Sequence, residues 1–403
     1  MSLVTLEEIE AARARLEPVL RPTPVEESES LSTVAGRRVF VKPEHRQRTG
    51  SFKIRGATNK IAYLPEGVEV VAASAGNHAQ GVARAARLAG RRATIFMPAG
   101  APLPKVVATR ADGADVRLEG EVVDEAIAAA RAYAEATGAV WVHPFDDPQI
   151  IAGQGTLGLE LAKECPVDAT VLVPVGGGGL MSGIATALAG SRPSMKVIGV
   201  EAAGAAAVRA SLDAGKQVTL DALHTIADGI AVKATSALVL EHIEAYVSDV
   251  ITVGDDEISN AMLVLLERSK DVVEPAGAAG LAAVLAGKVP GTGPVLPVLS
   301  GGNVDPLLLI KLIEHGLTAA GRYLLLRIVL EDRPGALARV TEAVARLGLN
   351  VLEVEHHRVG VALGVDKVEV MLTLETSDPE HRDEAVRALR AEGFEVTLDE
   401  LGR

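Results

Sequence analysis

From Arg38 to about Val298 the chain alternates short β-branched runs with alanine-rich stretches whose apolar positions recur at helical spacing. "VEVVAASA" leads into "GNHAQGVARAARLAG"; "RATIFMP" and "DVRLEG" precede "EVVDEAIAAARAYAEATG"; "TVLVPV" runs through "GLMSGIATALA" into "KVIGVEA". Such an order predicts an α/β body with a mostly parallel sheet whose strands are covered on both faces. After Gly321 the pattern changes. "YLLLRIVL" ends in the turn "EDRPG", and apolar Leu337, Val340, Val344 and Leu347 follow at i, i+3, i+7 and i+10. "GLNVLEVEHH" resumes strand spacing, Val368, Val370, Leu372 and Leu374 alternate, and a helix from Pro379 to Ala391 precedes the strand "FEVTL". The order βαββαβ is the ferredoxin-like unit. A main body over 1–320 and an appended domain over 321–403 are therefore expected, with no repeat of solenoid period.

One segment, Ala169 to Gly190, carries no charge and is long enough to cross a bilayer. Pro174 and the run Gly176–Gly179 interrupt it, which suits a buried strand, a loop and a packed helix better than a single span. The mean hydropathy of +0.25 fits strands buried on both faces. A net charge of −13 argues against nucleic acid and anionic membranes as partners, leaving small-molecule chemistry. A single cysteine, Cys165, excludes an internal disulfide framework and a cysteine-rich zinc site. The N-terminus reads as an amphipathic helix with a Thr5…Glu8 capping box rather than a signal peptide, so a cytoplasmic location is expected.

Three segments carry chemistry. In "TGSFKIRGA" Lys53 stands beside Phe52, although aromatics are only 2% of the chain. "GGGGL" follows a strand and opens a helix, so unblocked backbone N–H groups and the helix dipole can hold an anion. Its glycines miss the dinucleotide register, since the frames from Gly176 and Gly177 meet Met181 and Ser182, and Ile184 replaces the lysine of a triphosphate loop. A compact monophosphate remains, against a turn that binds nothing. "SAGNHAQG", Ser74 to Gly81, also links strand to helix and can hold a carboxylate, the alternative being a plain helix cap. A lysine, a monophosphate cradle and a carboxylate cradle together describe pyridoxal 5'-phosphate with an amino-acid substrate.

"KPEHRQRTGSFKIRGA", "SAGNHAQG", "HPFDDPQIIAGQGTLGLEL", "VGGGGLMSG", "EPAGAAGLAA" and "LSGGN" resemble, in order and across about Arg21 to Gly316, the threonine dehydratases of the tryptophan-synthase-β-like pyridoxal-phosphate enzymes. Residues from Gly321 to Leu401 resemble an ACT regulatory domain, with "EDRPGALARV" as its signature. The resemblance implies a fold-type II enzyme with two open α/β halves, a large one over about 1–47 and 146–320 and a small one over about 48–145. It implies β-elimination of L-threonine, and of L-serine, to a 2-oxo acid and ammonia. Lys53 looks like the Schiff-base lysine and α-proton base, Phe52 its ring-packing neighbour, and Asn77 the partner of the cofactor's phenolic oxygen. Gly176, Gly177, Gly178, Gly179 and Leu180 would bind the phosphate, and Ser300 would sit at the pyridine nitrogen. Ser74, Ala75, Gly76, Asn77 and His78 would bind the substrate. An amino-acid effector is implied near Gly335 and Asn350, in a homodimer or homotetramer.

Departures from the family pattern narrow the reading. Serine racemases of the family carry a second serine where this chain has Ala75, which disfavours racemisation. Members with a divalent cation have carboxylates at the positions of Glu201 and Ala207, and alanine offers no oxygen, so no magnesium site is expected. A monovalent ion on Glu201 and carbonyls stays open. Arg46 and "VKATSALV" differ from relatives, so the local loops there are expected to differ as well. Adjacent His356 and His357 on one strand point to opposite faces and do not suggest a metal pair. Glu274, beside Pro275 at a helix start, is either an N-terminal acid or an active-site group. Rival functions are a racemase or β-replacement enzyme, a non-catalytic amino-acid sensor and, last, a nicotinamide enzyme.

Overall fold

The first helix, Leu6–Leu16, begins where its sequence predicts: Glu8 N–H donates to Thr5 Oγ1, and Thr5 N–H donates to the Glu8 carboxylate at 2.8 Å. The computed structural model describes residues 2–319, 321–357, 364 and 366–398. Two compact units make up the chain, 1–305 and 306–403.

Unit 1–305 is built on two parallel four-stranded sheets. One has the order Asp115–Leu118, Ala93–Met97, Val70–Ala73, Val140–Trp141. The other has the order Val295–Pro297, Thr170–Pro174, Val197–Ala202, Asp249–Val253. Val70–Ala73 and Val197–Ala202 are buried along their whole length, which explains why these strands read as apolar runs rather than alternating ones. The uncharged segment from Ala169 resolves into the strand Thr170–Pro174, a glycine loop and the helix Gly179–Ser191. Among the described residues no helix is long and apolar enough to cross a membrane.

The helix that carries Lys53, Lys53–Ala62, is held from both sides. Pro148–Glu164 approaches it through glycine: a Cβ on Gly153 would lie 2.7 Å from Gly56 Cα. Behind it, fully buried Arg55 pairs with Glu44 at 2.8 Å and Glu160 at 2.6 Å, and Lys42 pairs with Glu160 at 2.6 Å and Glu164 at 3.0 Å. Thr23 Oγ1 donates to Glu44 at 2.5 Å. Taking these charges out of water is costly, and each has an oppositely charged partner that offsets the cost. Arg46 likewise has partners, Asp271 at 2.6 Å and Glu26 at 2.9 Å, so this departure from the family pattern is absorbed by local ion pairs.

In unit 306–403 the helix Pro306–Ala319 precedes an antiparallel sheet ordered Asn350–His357, Lys367–Glu375, Tyr323–Glu331, Glu395–Leu398. Alternate residues Leu324, Leu326 and Ile328 pack with Val368, Val370 and Leu372 against Val340 and Val344 of Ala336–Arg346 and Leu389 of Pro379–Ala391. This is the βαββαβ order expected, with both helices on the apolar face.

Candidate functional site

Both parallel sheets end their strands at one cavity of about 690 Å³. Val70–Ala73 runs into Ser74 and then the helix Asn77–Leu88, while Thr170–Pro174 runs into the glycine loop and the helix Gly179–Ser191. Each of these two crossings therefore puts a helix N-terminus at the cavity, the arrangement that favours bound anions. All the residues expected at the cofactor and substrate sites line this cavity: Phe52 with Lys53, the run Ser74–His78, the run Gly176–Leu180, and Ser300. Gly335 and Asn350 belong to the other unit. Gly335 opens the helix Ala336–Arg346 with φ of +87°, and Asn350 Nδ2 donates to Glu375 at 3.4 Å.

Lys53 is the first residue of its helix. Its Nζ donates to Pro144 O at 3.1 Å and lies 5.1 Å from the centre of the Phe52 ring. Desolvation pushes the amine down to about 8, with the Glu274 charge opposing. A larger fraction of this amine is therefore neutral near neutral pH than in an exposed lysine, as a carbonyl-trapping lysine requires.

The glycine loop is open to an anion. Gly178 precedes the helix with φ of +90°, and no side chain caps it. Its carbonyl side is tied down, since Thr235 Oγ1 donates to Gly177 O at 3.1 Å. A Cβ on Gly177 would run into the Phe145 ring, and one on Gly178 would meet Val239 at 2.5 Å. Glycine is required here by close approach, and the loop's N–H groups are left for a ligand. The second loop is uncapped too: Gly76 offers no cap, and Ser74 Oγ accepts only from Gly76 N–H at 3.1 Å. His78 is positioned by its ring, whose Nε2 lies 2.9 Å from Val142 O. Burial depresses this imidazole to about 3, with Lys53 adding to the effect, so it stays neutral.

Several residues at the site were not legible beforehand. Phe145 covers the glycine loop and stacks edge-on with His143 at 4.7 Å between ring centres. Lys105 pairs with Asp228 at 2.8 Å, and Lys233 with Asp124 at 2.7 Å, each joining lining residues more than a hundred positions apart in the chain. Glu274, whose two readings were open, does not cap its helix. Its carboxylate accepts from Asn77 Nδ2 at 2.6 Å inside the site. Glu201 is the reverse case: both oxygens cap the helix Ala207–Ala214, from Val208 N and Arg209 N at 2.8 Å each.

The model of the pyridoxal-phosphate dependent enzyme family matches residues 16–301, and that of the ACT domain matches 324–394. The chain belongs to the pyridoxal-phosphate dependent enzyme family. It is similar to the L-threonine ammonia-lyase of Thermotoga maritima, 47% identical over 400 residues and covering 98% of this chain and 100% of the relative. The L-threonine ammonia-lyase of Geobacter sulfurreducens is 45% identical over 394 residues, covering 97% and 98%. Among solved structures, a threonine deaminase from T.th. superposes with a TM-score of 0.71 at 42% identity, covering 75% of this chain and 99% of that one. Maize serine racemase superposes with a TM-score of 0.74 at 37% identity, covering 79% and 99%.

The residues present fit this family's cofactor. A primary amine of lowered basicity faces a glycine loop that no side chain can enter, and the uncapped N–H groups supply a phosphate with donors. In this enzyme family pyridoxal phosphate, when bound, withdraws electron density from the substrate α-carbon.

Proposed function

We propose that the chain is a threonine ammonia-lyase that converts L-threonine to 2-oxobutanoate and ammonia, and L-serine to pyruvate, under control of an amino acid bound by its ACT domain. The observation that carries this reading is the convergence of the Lys53 amine with two uncapped helix N-termini in a single cavity. Gly176 to Leu180, which line the cavity, would hold the cofactor phosphate through backbone N–H groups, and Ser300 would supply a hydroxyl to the pyridine nitrogen. A hydroxyl there supports carbanion character less than a carboxylate would, which favours prompt loss of the β-hydroxyl. The loop from Ser74 to His78 binds the substrate carboxylate, with His78 contributing its backbone rather than its neutral, already bonded ring. Lys53 would hold the cofactor through its Nζ and, as a free amine, would accept the α-proton of the bound substrate.

Elimination is preferred to racemisation because Ala75 lines the cavity where a racemase needs a second acid-base group, and a methyl can neither give nor take a proton. The names borne by the ammonia-lyases and the deaminase support the same choice. A homodimer or homotetramer in the cytoplasm, with an amino-acid effector near Gly335 and Asn350 and a place in isoleucine synthesis, completes the proposal.

The test is the visible spectrum of the purified protein with L-threonine added and 2-oxo acid assayed in the same cuvette. A yellow protein whose band changes as 2-oxobutanoate accumulates supports the proposal, and Lys53→Ala abolishes turnover without unfolding the chain. A colourless protein, inert with added pyridoxal phosphate, makes it a sensor instead. Isoleucine should alter the rate of the full chain and not that of Asn350→Ala.

A further inference from the structure

Beneath the cavity wall, hydrogen bonds link four residues outward from the Asn303 amide nitrogen. Asn303 Nδ2 donates to the backbone carbonyl of Thr49 at 2.7 Å and to Asn77 Oδ1 at 2.7 Å. Asn77 Nδ2 then donates to Glu274 Oε1 at 2.6 Å. A backbone carbonyl can only accept, so the first bond decides which end of the Asn303 carboxamide points toward Thr49. The same constraint passes to Asn77. Its oxygen is held by Asn303, its nitrogen faces Glu274, and one N–H hydrogen is left over.

The backbone leaves room for this chain of bonds at two glycines. Gly50 has φ of +69°, and a Cβ there would strike Asn303 Oδ1. A Cβ on Gly301 would strike Glu274 Oε1 and lie 3.0 Å from Asn77 Nδ2. Glu274 itself is only 4% exposed and stands at a helix start without capping it, so its acceptor is committed to Asn77.

We propose that Glu274 and Asn303 are positioning residues of the cofactor site: they hold the Asn77 carboxamide in one orientation, with a single N–H hydrogen offered to the cofactor's phenolic oxygen, and the charge on Glu274 tunes that contact. This rests on the reading that the Lys53 cavity takes pyridoxal phosphate. The charged groups facing Glu274 are Asp228 from the turn Asp228–Ile230, Lys105 from the helix Leu103–Ala111 and Lys53. Burial, reinforced by Asp228, pushes the Glu274 carboxyl up to about 7, against the Asn77 bond, Lys105 and Lys53. The carboxyl therefore gains its proton near neutral pH, and the Asn77 bond changes from charge-assisted to neutral as it does.

The experiment is titration of the full chain, freed of cofactor, with pyridoxal 5'-phosphate from pH 6 to 9, followed by visible absorbance. In Asn303→Ala the carboxamide of Asn77 is free to turn, and affinity falls about tenfold, the equivalent of one lost hydrogen bond. Glu274→Gln keeps an acceptor for Asn77 and retains affinity, but the spectral step near pH 7 disappears while the one from Lys53 remains. Thermal melting is recorded for each variant. Wild-type affinity in Asn303→Ala together with a wild-type pH profile in Glu274→Gln overturns the inference, as does a lowered melting temperature with unchanged binding. If the wild-type chain takes up no pyridoxal phosphate at any pH, the proposed function itself falls and this inference with it.

Discussion

The Phe145 ring occupies the space that a side chain on Gly177 would need. His143 braces that ring edge-on, so it has little freedom to withdraw. Gly177→Ala is therefore expected to displace the loop and weaken pyridoxal-phosphate binding by about tenfold or more, in line with about 1–3 kcal/mol for overpacking. Adding Phe145→Ala should restore part of the loss. A cofactor titration of both single variants and the double variant measures the coupling, and strictly additive losses would show that the two residues act independently.

Lys53 must be neutral to attack an aldehyde. Burial lowers its amine to about 8, so the neutral fraction rises up to that pH and levels above it. The rate at which the cofactor-free protein takes up pyridoxal phosphate should climb about tenfold per pH unit below 8, then flatten. A stopped-flow pH series checks this, and a rate still rising steadily to pH 10 would mean that the amine is not shielded.

Arg55 stands between Glu44 and Glu160 with no exposed side-chain surface. Arg55→Ala leaves the buried Glu44 without its ion-pair partner, with the Thr23 hydroxyl still bonded to it, and should cost about 3–5 kcal/mol in denaturant unfolding. Burial would raise the Glu160 carboxyl, but Arg55 and Lys42 outweigh it and hold it below its ordinary value. That stabilisation is present above the unfolded-state value and is lost as pH falls through the depressed folded one. The variant should accordingly show less acid sensitivity than the wild type, a difference readable from melts between pH 3 and pH 6.

Glu201 behaves in the opposite sense. Burial raises its carboxyl to about 7 against the pull of the Val208 and Arg209 N–H groups. The folded chain thus holds this proton more tightly than the unfolded one, and its stability falls as pH rises from about 4.5 to about 7. Glu201→Gln removes that slope but can accept through one oxygen only, leaving one helix N–H unpaired at a cost of about 1–3 kcal/mol. Melts at pH 5 and pH 7 separate the two effects.

Patterns local in the chain carried most of the fold. The switch from mixed β-runs and alanine helices to alternating strands near Gly321 is a matter of side-chain period, and the βαββαβ unit follows it. The glycine run and "SAGNHAQG" were readable as anion loops because helix starts and glycines act within a few residues. Lys53 was legible as chemistry only in company with those loops.

What no stretch of residues could disclose is which distant groups meet. Phe145 lies about thirty residues before Gly177 in sequence and against it in space, and nothing local marks its ring as the wall of the glycine loop. Glu274 and Glu201 are both acids beside helices. One turns inward to Asn77 and the other caps the helix Ala207–Ala214. Local propensity allows either role for both. Long-range packing separates them, because a buried carboxylate takes whichever N–H donors the assembled fold brings within reach.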